Sequence, residues 1–123
     1  MTREELFLWV RQQYGTEPEY PWNDGNAVLR RMDNRKWYGV VLTVAGNKIG
    51  LETEEQAELL NVKCDPFLVG SLRTRPGYFP AYHMNKEKWI SILLGKPELD
   101  DEILNLLGMS YELTGPKKAR PPF

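Results

Sequence analysis

Apolar residues recur at helical spacing near the start of the chain. Leu6, Phe7, Val10 and Tyr14 fall on one face of a helix predicted over residues 2–14. Thr2 can cap it while Glu5, three residues on, reaches back to complete a capping box. Gly15 tolerates the left-handed conformation that follows a last turn, so the helix should stop there. Residues 16–26 hold Pro18, Pro21, Asn23, Asp24 and Gly25 and read as a loop, with Tyr20 and Trp22 folding back on the core.

The pattern then changes. Residues 27–32 and 37–44 are rich in β-branched and aromatic side chains and read as strands. Asp33-Asn34-Arg35 between them is short and turn-forming, which predicts an antiparallel hairpin. Residues 52–60 look like a capped helical turn or a loop, because Thr53 is followed by Glu54, Glu55 and Gln56. A third strand is expected over 60–64. Asp65-Pro66 then reads as a helix entry, with Asp as cap and Pro at the first position, where its missing N–H costs nothing. That helix should run to about Arg73 and bury Leu68, Val69 and Leu72. Arg75-Pro76-Gly77 breaks the chain, and residues 80–84 and 89–94 read as strands four and five, joined through Asn85-Lys86-Glu87-Lys88.

A final helix should start at Asp100. Asp100, Asp101 and Glu102 sit where the helix dipole favours negative charge. Leu99 and Leu104 occupy the two positions of a hydrophobic staple. Ile103, Leu104, Leu107 and Tyr111 form the expected buried stripe, and Gly115-Pro116 ends it. The order is α-β-β-β-α-β-β-α. Hairpin-linked strands imply a two-layer α+β fold, with a five-stranded, mostly antiparallel sheet and three helices. Residues 1–114 make one domain, and residues 115–123 a loose tail.

Composition narrows the chemistry. The chain has 123 residues, enough for one domain and too few for two ordinary ones. Its 41% apolar content can supply a core without disulfides or metal. Formal net charge is −1, which argues against a protein that coats nucleic acid. The charges are unevenly spread: residues 1–61 hold seven Lys/Arg against ten Asp/Glu, and residues 62–123 hold nine against seven. The single cysteine, Cys64, excludes an internal disulfide and points to a reducing cytoplasm. No signal peptide is legible after Met1, and no apolar run approaches the roughly 20 residues that span a bilayer.

Candidate catalytic chemistry is thin. Cys64 and His83 are the one cysteine and the one histidine, and a nucleophile–base pair would need them together. A lone cysteine in a strand more often packs as a small hydrophobe. The acidic clusters at 54–58 and 100–102 read as a solvated face and a helix start rather than metal ligands. No phosphate-cradling glycine motif occurs, so no cofactor is expected and the chain reads as a non-enzyme.

The basic residues are the remaining candidates. Arg30, Arg31, Arg35 and Lys36 surround the first hairpin turn; Lys86 and Lys88, with His83 and Asn85 nearby, mark the second connection; Lys63 lies between them in sequence. Such groups at hairpin tips can bond phosphates or enter a groove of double-stranded DNA. Charged hairpin tips are also ordinary solvated surface. Trp22, which follows Pro18 and Pro21 in the loop, is the aromatic residue expected to be partly exposed, as a lid or as an anchor for a partner protein or a small ligand.

Several motifs together resemble the MmcQ/YjbR family. They are Leu60-Asn61-Val62-Lys63-Cys64-Asp65-Pro66, the run from Gly77 through Pro80-Ala81-Tyr82-His83-Met84-Asn85-Lys86, Trp89, and Met109-Ser110-Tyr111-Glu112-Leu113, with Trp37-Tyr38 and Gly50-Leu51 in support. The likeness spans residues 2–114. It implies a secretion-chaperone-like α+β fold, a largely bacterial and cytoplasmic distribution, and DNA binding through a double wing of hairpins. The residue before Trp89 is often histidine in that family and is Lys88 here; a phosphate contact survives that change, a role needing imidazole does not. Three functions follow as expectations for what is expected to be a monomer with no membrane association. They are a DNA-binding module, a chaperone-like protein adaptor, and a small-molecule binder around Lys63, Tyr82, His83, Asn85 and Trp89.

Overall fold

The computed structural model describes residues 1–116. The expected tail lies outside the described residues from position 117 onward. Helix α1 (Arg3–Tyr14) is followed by β1 (Ala27–Arg30), β2 (Trp37–Ala45), β3 (Gln56–Lys63), α2 (Pro66–Leu72), β4 (Tyr78–Pro80), β5 (Trp89–Leu93) and α3 (Asp100–Leu113), with 3₁₀ turns at Gly46–Ile49 and Pro97–Leu99. The fold is α+β, and the element order is the one the sequence predicts.

The local signals act as expected at both ends of α1. Thr2 Oγ1 accepts from the Glu5 N–H at 3.2 Å, and Glu5 Oε1 accepts from the Thr2 N–H at 2.9 Å. Gly15 closes the helix in the left-handed region at φ 69°. Asp65 caps α2 through the Phe67 N–H at 2.9 Å.

All strand pairs are antiparallel, and the sheet order is β1-β2-β3-β5-β4. The β1–β2 register slips by one residue: Leu29 faces Gly39 and Arg30 faces Trp37, so Tyr38 is the extra residue of a bulge. The slip places Tyr38 beside the helices and Trp37 on the opposite face. Gly39 sits where a Cβ would meet Leu29 Cδ1 at 3.1 Å and Leu107 Cδ1 at 3.3 Å, so its lack of a side chain lets α3 lie close against β2.

Two apolar clusters result. Leu6 and Val10 of α1, Val69 of α2 and Ile103 and Leu107 of α3 pack on Leu29, Leu60, Val62, Ile90 and Ile92 from one face of the sheet. On the other face Val40, Leu42, Val44 and Leu59 form a smaller cluster, covered by Trp37, Ile49, Phe79, Tyr82 and Met84. The helices bury their apolar residues in the first cluster only, so the second face is sheltered by loops.

Four sequence expectations are corrected. β3 begins at Gln56, not Leu60, because residues 56–59 pair with 42–45 of β2. Strand four is Tyr78–Pro80 rather than 80–84, because the chain leaves the sheet edge after Pro80. In α2 only Val69 is buried; Leu68 is exposed, since so short a helix presents one narrow stripe to the core. In α3 Leu106 and Ser110 join Ile103 and Leu107 inside, while Leu104 and Tyr111 are only partly buried.

Candidate functional site

β3 runs antiparallel to both β2 and β5, and Lys63 at its end pairs with Trp89 at the start of β5. The turn at 31–36, Lys63 and the connection at 81–88 therefore come to one end of the sheet. Two strand spacings, about 10 Å, separate the ends of β2 and β5.

The basic residues at that end divide into two groups. The arginines are engaged within the fold. Arg31 is buried; its Nε and Nη2 donate to both carboxylate oxygens of Asp33 at 2.9 and 2.8 Å, and its Nη1 donates to the Tyr111 carbonyl at 2.6 Å. Its guanidinium also lies over the Tyr111 ring at 3.9 Å. Arg31 thus supplies the cation that α3 lacks in its own last turn. Arg35, at φ 63°, pairs with Glu19 at 3.1 Å, and Arg30 lies 3.6 Å from the same carboxylate and 5.7 Å from the Trp37 ring. Buried Arg30 Nε has no hydrogen-bond partner among the described residues.

The lysines are different. Lys36, Lys63, Lys86 and Lys88 have no ion-pair partner among the described residues; Lys63 is half-buried and the other three are exposed. The acids nearest to them in sequence are Asp33 for Lys36, Asp65 for Lys63 and Glu87 for Lys86 and Lys88.

The connection at 81–88 is held by polar groups inside the sheet. Asn61 and Ser91 are a cross-strand pair, both fully buried. Ser91 Oγ donates to Asn61 Oδ1 and accepts from the Tyr82 N–H at 3.1 Å, while Asn61 Nδ2 donates to the Tyr82 carbonyl at 3.0 Å. Tyr82 is therefore fastened by its backbone across the loop-covered face. Asn85 Oδ1 accepts from the N–H groups of Glu87 and Lys88 at 2.8 and 3.2 Å, so its side-chain oxygen shapes the turn. His83 stands exposed at φ 58°, its ring 4.1 Å from that of Tyr82.

This fastening leaves a cleft of about 360 Å³ between the connection and the loop 16–26. Trp37, Val40 and Leu42 form its floor, Trp22 and Asp24 one wall, and Tyr82, His83 and Met84 the other. Of the small-molecule pocket expected around Lys63, Tyr82, His83, Asn85 and Trp89, only Tyr82 and His83 line this cleft. Sequence reasoning gave Trp37 no part in a pocket and gave Asn61 and Ser91 no role. The signal for the pair was a polar residue inside each of two apolar strand runs, Leu60-Asn61-Val62 and Ile90-Ser91-Ile92.

Cys64 and His83 are not brought together. Cys64 is buried among the helix-side residues, where burial pushes its thiol pKa up, and His83 borders the opposite face. Among the described residues no three His, Cys, Asp or Glu side chains gather as a metal site, and no helix is long and apolar enough to cross a membrane.

Comparison with known proteins gives concordant matches. The YjbR family model matches residues 11–113. The uncharacterized protein YyaQ of Bacillus subtilis is 42% identical over 116 residues, covering 93% of this chain and 98% of that one. A crystal structure of a Pseudomonas syringae protein has a TM-score of 0.89 at 40% identity, covering 94% of this chain and 100% of that one. A Deinococcus radiodurans protein shares the fold, with a TM-score of 0.67 at 22% identity over 97% of this chain and 82% of that one.

Proposed function

The chain belongs to the YjbR family, and from that footing we propose that it is a binding protein rather than a catalyst, which contacts the phosphates of double-stranded DNA through the lysines at one end of its sheet. One observation carries the reading: the antiparallel run of β3 against both β2 and β5 brings the two hairpin connections and Lys63 to the same end. The two connections act as the wings.

Lys36, Lys63, Lys86 and Lys88 make the contacts, because Arg31 and Arg35 are already bound to Asp33 and Glu19. Lysines present point charges to phosphates and no fixed fork to base edges. Binding is therefore insensitive to sequence and modest, in keeping with a net charge of −1. The protein works as a monomer, and the lone buried Cys64 supports a reducing cytoplasm as its setting.

Fluorescence anisotropy of a labelled duplex, titrated at several salt concentrations, tests this. The expected result is an affinity that weakens steeply with salt. Lys86→Ala with Lys88→Ala should flatten the log–log salt slope by about two. An unchanged slope in the double variant, or no binding at low salt, overturns the reading.

A second reading, a protein-interaction adaptor, is favoured by the helical side. Phe67 is 94% exposed, and Leu68, Met109 and Leu113 line a shallow depression between α2 and α3. A partner retained by the wild-type chain and lost with Phe67→Ser and Met109→Ser would support it; equal retention by both would not.

A further inference from the structure

The cleft on the loop-covered face has a composition that selects its ligand. Trp22 and Trp37 meet edge to face, with ring centroids 5.8 Å apart and planes at 89°, which makes a corner of two indoles. Tyr82 faces this corner from the other wall, with its backbone fixed at both N–H and carbonyl by Ser91 and Asn61. Trp22 is 45% exposed although it is large and apolar, so a substantial part of its indole is uncovered. Asp24 carries the one fixed charge among the lining residues.

Its carboxylate is oriented rather than free. Asp24 Oδ1 accepts from the Asn26 N–H at 3.0 Å and Oδ2 from Asn26 Nδ2 at 3.2 Å, while Asn26 Oδ1 accepts from the Thr43 N–H of β2 at 2.9 Å. The anion is thus tied to the sheet beside the aromatic corner. Asp24 has no cationic partner among the described residues. The nearby Arg30, 5.7 Å from the Trp37 ring, lies beside Glu19, a carboxylate it shares with Arg35.

We infer that the cleft binds an organic cation of the methylated-ammonium type, held by the faces of Trp22, Trp37 and Tyr82 and neutralised by Asp24. Aromatic faces carry negative charge density and attract a cation whose methyl groups are easily desolvated, whereas a small, strongly hydrated ammonium gains less. The volume leaves room for more than a trimethylammonium head, so the ligand extends beyond it toward His83 and Met84. This site is on a face of the sheet and the lysines are at its end; the two readings stand or fall separately.

The test is an NMR titration of the full chain with choline, following the four tryptophan indole N–H signals. Those of Trp22 and Trp37 shift and saturate, with a dissociation constant on the order of millimolar for so open a site. Those of Trp9 and Trp89 stay in place. The uncharged tert-butyl analogue of choline binds roughly tenfold more weakly or not at all. Trp22→Ala and Asp24→Asn each weaken choline binding about tenfold, and Asp24→Asn, at an exposed position, does so with an unchanged thermal midpoint. Equal binding of the neutral analogue would make the cleft a plain apolar slot and overturn the inference. So would saturable binding of adenosine with none of choline, which would make it a planar-ring site.

Discussion

Ser110 of α3 donates its hydroxyl to the backbone carbonyl of Tyr38 at 2.6 Å, at the point where the β1–β2 register slips. The same oxygen accepts from the Lys63 N–H at 2.9 Å. One buried serine therefore satisfies the backbone groups of two strands where the bulge has disturbed the ladder. Ser110→Ala should destabilise the fold by about 1–3 kcal/mol, because it strands two buried polar groups at once. Urea denaturation checks this, with the slope unchanged and the midpoint lowered.

Arg31 and the lysines should separate stability from binding. Arg31→Ala removes the bonds to Asp33 and to the Tyr111 carbonyl and should cost about 2 kcal/mol, discounted because Asp33 is half-exposed. Its DNA affinity per folded molecule should match wild type. Lys86→Ala with Lys88→Ala should behave oppositely, losing affinity with no change in thermal midpoint. Parallel melting and anisotropy measurements decide it.

Asp33 gives the fold an acid-sensitive contact. The hydrogen bonds from Arg31 hold its carboxyl below the ordinary value of 3.8. A depressed pKa means that the folded chain binds fewer protons than the unfolded one in that window, so stability falls as pH falls. The contribution is complete above the ordinary carboxylate range and is lost as pH drops through it toward the depressed value. Asp33→Asn should be less stable than wild type at neutral pH, and the two should converge in acid. Chemical denaturation at a series of pH values measures the gap.

Gly77 stands at φ 86°, and a Cβ there would lie 2.5 Å from Leu99 Cδ1. Gly77→Ala should therefore cost more than about 1 kcal/mol, combining backbone strain with a clash. Adding Leu99→Ala should relieve the clash but not the strain. Stabilities of the single and double variants separate the two causes.

The sequence carries the fold where local chemistry is decisive. Thr2, Glu5 and Gly15 announce both ends of α1 because caps are short-range devices. It fails where a distant partner decides. Thr53-Glu54-Glu55-Gln56 looks like a helix start, yet Gln56 to Leu59 lie in β3, where Glu58 receives Arg3 Nε from α1 at 2.8 Å. Residues 81–84 look like a strand, yet Asn61 and Ser91 draw Tyr82 away from the edge. The candidate site is legible to the same degree. Trp22 is marked as partly exposed by its prolines, but nothing local reveals that the Tyr38 bulge turns Trp37 toward it, or that Glu19, sixteen residues away, occupies Arg35.

The outer strands leave little for a neighbouring molecule to copy. On β1 both backbone groups of Val28 are taken by Glu19, at 3.0 and 2.8 Å. β4 is three residues long, its Tyr78 N–H is held by the Arg75 carbonyl at 3.2 Å, and Pro80 has no N–H to offer. A second chain that tries to extend the sheet from either rim finds its template already used. The protein should accordingly resist strand-by-strand polymerisation at high concentration, even though its sheet is open at both sides.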